Sequence, residues 1–164
     1  MLSVQIFLLD RLLLKLSEAV KKARRVYICG NGGSAANAIH IANDLISVGI
    51  KAHALTADVA TLTAIANDFG YEDVFANQLL VFGEPGDLLI ALSGSGNSLN
   101  ILKAILTAKR IGMDTFAITG TFANPHALDY ADNAASEGTT MQAAETYQLI
   151  IGHEVMLQLK KERQ

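Results

Sequence analysis

Apolar residues recur along this chain in two rhythms. Short runs at Val26–Gly30, Ala52–Leu55, Leu88–Ser93 and Thr115–Ile118 read as strands, with Asn133–Ser136 as a weaker fifth. Between them a helical period predicts helices over Ser34–Ser47, Val59–Ala66, Tyr71–Val81, Ser98–Ile111 and roughly Thr140–Lys161. Strands that alternate with helices imply a parallel sheet built from right-handed crossovers, with helices on both faces. The expected fold class is therefore α/β, a three-layer αβα sandwich around a five-stranded parallel sheet. Before the first strand, Leu2, Ile6, Leu9, Leu13, Leu16 and Val20 follow one another at spacings of 4, 3, 4, 3 and 4, a helix-packing seam. Leu8 and Leu12 form a second apolar stripe, which a neighbouring subunit would cover.

This divides one expected domain, 1–164, into an oligomerisation helix over 1–24 and a ligand-binding core over 25–164. Asp10, Arg11 and Lys15 interrupt the leucine-rich start, leaving an apolar stretch too short to span a bilayer. It has neither the basic start nor the small-residue cleavage site of a signal peptide. No internal repeat or low-complexity segment is visible.

Composition narrows the partners. Hydrophobic residues make up 51% of the 164, rich for a soluble monomer, which suggests subunit contacts or a sheet covered on both sides. A net charge of −3 provides no broad attraction to nucleic acid or to anionic membrane. A phosphorylated ligand would have to be held locally. One cysteine, Cys29, excludes a disulfide framework within the chain and fits a reducing cytoplasm.

Two strand-to-helix loops have the composition to hold such a ligand. The first, Cys29-Gly30-Asn31-Gly32-Gly33-Ser34-Ala35-Ala36, places glycines at a helix start, where bare N–H groups favour an anion. An ordinary tight turn with Ser34 as N-cap is the plainer alternative. The second, Ser93-Gly94-Ser95-Gly96-Asn97-Ser98, carries three hydroxyls and two glycines in six residues. Ligands of open parallel sheets bind at these strand ends. Neither loop has the Lys-Ser/Thr ending of a nucleotide P-loop or the dinucleotide spacing, so together they favour a small phosphorylated ligand and no nucleotide or organic cofactor.

His40 and Asp44 lie four apart on one helix face. Glu145 and His153 lie eight apart on the last helix, about 80° apart around its axis, with Gln142 on much the same side. Each taken singly also reads as a solvated or satisfied surface group.

Gly30 to Ser34, Ala64-Ile65-Ala66-Asn67-Asp68-Phe69-Gly70 and Ser93 to Ser98 occur in order, and with them the chain resembles the phosphoheptose isomerase branch of the sugar isomerase (SIS) domain family. The similarity runs from about Val26 to His153. The resemblance implies a flavodoxin-like SIS fold and a homotetramer with sites near subunit borders. It also implies aldose–ketose isomerisation of sedoheptulose 7-phosphate through an enediol. Asn31, Gly32, Gly33, Ser34, Asn67, Asp68, Ser93, Gly94, Ser95, Ser98 and Gln142 would bind substrate. His40, Asp44, Glu145 and His153 would hold zinc, with Asp44 or Glu145 as base and His153 as acid.

Departures stand beside the match. The family usually has Glu and Gln where this chain has Asp44 and Glu145, and often threonine at Gly94. The segment from Leu45 to Lys51 is several residues short, and Lys51 is its only cation. A non-catalytic protein like the family member that binds the bacterial replication initiator is one alternative, and a sugar-phosphate sensor is another. That initiator-binding branch has lost the second histidine, whereas His153 is present here.

Overall fold

The computed structural model describes residues 13–162. Five strands, β1 (Val26–Cys29), β2 (Ala52–Ala54), β3 (Leu88–Ser93), β4 (Asp114–Thr119) and β5 (Asn133–Ser136), form one sheet in the order β2-β1-β3-β4-β5. Every neighbouring pair is parallel. The three-layer architecture expected above is the one observed, and the weak fifth segment does pair with β4.

Period-two alternation sorts the strands between two cores. Val26 and Ile28 of β1, Leu88, Ile90 and Leu92 of β3, and Phe116 and Ile118 of β4 point to one face. There they meet α1 (13–22), α2 (Gly33–Ser47) and α7 (Met141–Lys161). Tyr27, Cys29, Leu89, Ala91 and Ala117 point to the other face. That face is covered by α4 (Ala76–Phe82), α5 (Leu99–Ile111) and α6 (Ala127–Tyr130), with α3 (Val59–Phe69) packed more lightly. Of the amino-terminal seam, Leu16 and Val20 are buried in the chain's own core and Leu13 packs against it. Leu2, Ile6, Leu8, Leu9 and Leu12 lie outside the described residues.

One expected element splits. The helix read over Tyr71–Val81 is a 3-10 turn at Tyr71–Asp73 followed by α4. Side chains at the turn are drawn to different neighbours: the Tyr71 hydroxyl donates to Asn31 Oδ1 at 2.9 Å, and Asp73 pairs with Lys103 at 2.8 Å. Gly70, at φ +101°, has already ended α3, which runs three residues further than its apolar period suggested. The four-residue α6 was not read from the sequence.

β1 and β3 are neighbours, yet their crossovers leave to opposite faces: α2 follows β1 and α5 follows β3. A crevice opens where the winding reverses, at the carboxyl ends of these strands. Both glycine- and serine-bearing loops stand there.

Candidate active site

In the first loop, Gly32 sits at φ +56° as the N-cap of α2, with no side-chain cap bond. Asn31 is tied into the protein on both sides of its amide. Its Nδ2 donates to Asn100 Oδ1 at 2.9 Å, while its Oδ1 accepts from Asn100 Nδ2 at 2.8 Å and from Tyr71. Asn31 therefore fastens the loop to α5 and to the 3-10 turn. Ser34 is buried at the first turn of α2. Cys29, immediately before this loop, has its thiol pushed up to about 12 by burial, so it is no nucleophile.

In the second loop the serine oxygens accept from the loop's own N–H groups. Ser93 Oγ accepts from Gly96 N at 3.0 Å and Ser95 Oγ from Asn97 N at 3.2 Å. Each hydroxyl proton is thereby left to donate elsewhere, as a phosphate requires. Ser98 is the N-cap of α5 but makes no cap bond. Asn97, which sequence reasoning passed over, anchors the loop: its Nδ2 donates to Ala123 O at 2.7 Å and its Oδ1 accepts from His126 N at 2.9 Å. Neither loop contains Lys or Arg.

A cavity of about 550 Å3 lies beside these loops, lined by Asn31, Phe69, Gly70, Tyr71, Ser98 and Asn100 among others. Asn67 and Asp68 do not line it. They are exposed near the end of α3, joined by a 2.9 Å bond from Asn67 Nδ2 to Asp68 Oδ1.

The imidazole and carboxylate set is built where α7 runs beside α2 in the same direction. A Cβ at Gly152 would stand 2.5 Å from Ile41 Cγ1, so glycine is what lets the two helices approach closely. Asn37, buried in the seam, donates to the Glu145 carbonyl at 2.9 Å and to Gln148 Oε1 at 3.0 Å, fixing the register. His153 then falls on His40, with their Nε2 atoms 2.9 Å apart. Asp44 Oδ2 lies 3.4 Å from His40 Nε2 and 3.5 Å from His153 Nε2. One ligand atom from each of the three residues falls within 4.8 Å of the others.

This trio fits a divalent metal on its own geometry. Asp44 Oδ2 is buried with no hydrogen-bond partner, and two facing ring nitrogens at 2.9 Å can share at most one proton. A cation bound by both nitrogens and the oxygen would answer all three.

Glu145 is not part of the trio. Its carboxylate lies over Gly33, where an added Cβ would come within 2.4 Å of it. Gly33 is seven residues before His40, about 10 Å along α2. Met141 likewise lies over the second loop, its Sδ 2.2 Å from where a Cβ on Gly94 would be. Gln142 is exposed on the same first turn of α7. The first two turns of α7 thus cover both loops, and its later turns supply His153.

Comparison with known proteins places this arrangement. The SIS domain family model matches residues 8–120. The chain belongs to the SIS domain family. Within it, the chain falls in the phosphoheptose isomerase branch. A phosphoheptose isomerase of Chlorobaculum parvum is 40% identical over 152 residues, covering 86% of this chain and 72% of that protein. One of Akkermansia muciniphila is 46% identical over 110 residues, but that match covers 63% of this chain and only 58% of the relative's length. A solved phosphoheptose isomerase of Neisseria gonorrhoeae superposes with a TM-score of 0.86 at 28% identity, covering 92% of this chain and 86% of the other. The shared fold thus accounts for the sheet order.

Proposed function

We propose that this SIS-domain chain is an isomerase converting sedoheptulose 7-phosphate to an aldoheptose 7-phosphate through an enediol. The observation that carries the reading is the His40–Asp44–His153 cluster, assembled where α7 packs along α2. Similarity to phosphoheptose isomerases over most of the chain supports it.

The serine loop would hold the distal phosphate. Ser93, Ser95 and Ser98 would donate their hydroxyl protons and the start of α5 its bare N–H groups, so no cation is needed. Binding there uses contacts remote from the reacting carbons to orient the sugar. Asn31, Gly32, Gly33 and Ser34 would shape the first loop around the ligand, with Asn67, Asp68, Gly94 and Gln142 on its margins. Asp44 would act as base, taking the proton next to the carbonyl, and His153 would return a proton to the neighbouring carbon or oxygen. Glu145, at the first loop, would accept hydrogen bonds from sugar hydroxyls. Zinc held by His40, Asp44 and His153 would polarise the carbonyl and hydroxyl oxygens.

The site would be completed between chains. Along α7, Met141 at the serine loop and His153 at the trio are twelve residues apart, about 18 Å, more than a seven-carbon sugar phosphate spans. Val59, Phe69, Tyr71 and Leu99, large apolar residues on and around α3, are all more than half exposed, as a subunit contact would require. A homotetramer in which the trio of one chain faces the loops of another satisfies both facts. The described residues include no helix long and apolar enough to cross a membrane. A phosphorylated sugar substrate and a buried free thiol fit a cytoplasmic enzyme.

The decisive experiment follows sedoheptulose 7-phosphate by NMR in deuterated water, with zinc-loaded protein. Appearance of the aldose with deuterium at the carbon next to the carbonyl supports the reading. Saturable sugar binding with neither isomer nor exchange would replace it with a sensor.

A further inference from the structure

The amino end of the sheet, opposite the loops, carries a second feature. Backbone bonds pin two cations there: Val26 N donates to Lys51 O and Leu88 N to Arg25 O, both at 2.9 Å. The register pairs Val26 with Ala52 and Tyr27 with His53. Alternation therefore sets Arg25, Tyr27, Lys51 and His53 on one face, with Arg25 beside Lys51 and Tyr27 beside His53.

This corner of the sheet is left bare, because α4 stops at Phe82. A cavity of about 440 Å3 results, lined by Arg25, Tyr27, Lys51, Ala52, His53 and Phe82. Its floor is rigid. Tyr27 is buried, its hydroxyl donates to Phe82 O at 2.8 Å, and its ring meets that of His53 edge-on at 6.4 Å.

Like charges side by side on paired strands destabilise a sheet unless something neutralises them. Among the described residues neither Arg25, Lys51 nor His53 has a carboxylate within ion-pairing distance, whereas Arg24, Lys103 and Lys109 are all paired at 3.0 Å or less. Of the acids nearby, Glu84 holds Arg24, and Asp87 Oδ2 accepts from Glu84 N at 2.9 Å while its Oδ1 is buried without a partner; neither makes an ion pair with Arg25.

We infer that this cavity is a second binding site, taking a small organic anion whose phosphate or carboxylate meets Arg25, Lys51 and His53 while an aromatic or apolar body lies on Tyr27 and Phe82. Its volume falls in the range of small-ligand sites. The inference is independent of the isomerase reading.

Titration of the full chain with phenyl phosphate, followed residue by residue by TROSY NMR, tests it. Saturable shifts at Tyr27, Ala52 and His53 are expected. In the double variant Arg25→Ala, Lys51→Ala they should need at least about tenfold more ligand, while any response at Ser93–Ser98 is retained. Both replaced side chains are exposed, and an unchanged melting temperature will show that the variant folds. No saturable shift at these residues, or shifts unaltered by the double variant, would overturn the site. Inorganic phosphate saturating them at the same concentration would overturn the role of the aromatic floor.

Discussion

The α2–α7 seam and the α3 segment both carry residues expected in the site, but they are built on opposite principles. The seam is closed within the chain: Gly152 against Ile41, Asn37 against Gln148, and the trio at its outer end. In α3 no residue is buried, and among the described residues the side chains of Asn67 and Asp68 bond to each other alone. Its N-cap is sound, since Asp58 accepts from the N–H groups of Ala60 and Thr61 at 3.0 and 3.3 Å. The helix thus holds its shape, with Leu62, Ile65 and Ala66 half-buried against the core while Val59 and Phe69 remain exposed. The seam is complete in one chain, and α3 is a surface awaiting another.

The largest effects should come from the seam. His153→Ala or Asp44→Ala should lower kcat/KM about 100- to 10,000-fold with little change in melting temperature, since the trio lies at the edge of the core. Near wild-type rates in both variants would remove the trio from the reaction. On the other side of the comparison, Phe69→Asp should leave the isolated fold intact but reduce the assembled mass measured by light scattering. An unchanged mass would mean that this face is not a subunit contact.

Deeper in the seam, Gly152→Val should cost about 1–3 kcal/mol by overpacking against Ile41. It should also weaken zinc binding in equilibrium dialysis, because it parts His153 from His40. Denaturant unfolding should show the loss of stability directly. The matching change on the α3 side is gentler. Tyr71→Phe removes the bond to Asn31 and should cost about 0.5–1.5 kcal/mol, with a rise in KM rather than a fall in kcat.

How far each region could be read beforehand follows from the same contrast. Alternation and helical period specify which face each residue shows, so the five-stranded parallel sheet and the shared face of His40 and Asp44 were legible. That His153 would join them rested on a resemblance, because no local rule relates α7 to α2. What aligns them is Gly152, a missing side chain, and the Asn37–Gln148 bond. Gln148 did leave a trace: it interrupts the otherwise apolar series Ala144, Ile151, Val155 and Leu159, a polar residue in a buried stripe. Glu145 was grouped with the trio by the resemblance; its helical angle to His153 says nothing of height along the axis, and its carboxylate lies near the first loop instead. The 3-10 turn was missed because its cause is tertiary, the pull of Asn31 and Lys103 on Tyr71 and Asp73.

The smallest expected effect probes what lies beneath α3. Cys29 belongs to the core on that side of the sheet and is fully enclosed. Burial holds its thiol up to about 12, well above an unfolded cysteine. The native state therefore keeps a proton that the unfolded chain releases above about 8.5. Stability from this source is complete below that pH and declines as pH rises towards the folded value. If the exposed α3 merely lies over a closed core, iodoacetamide at pH 8 should not label Cys29 until denaturant unfolds the whole domain. Rapid labelling of the native protein would show that the α3 side opens locally, and the sharp contrast with the seam would then be one of mobility as well as exposure.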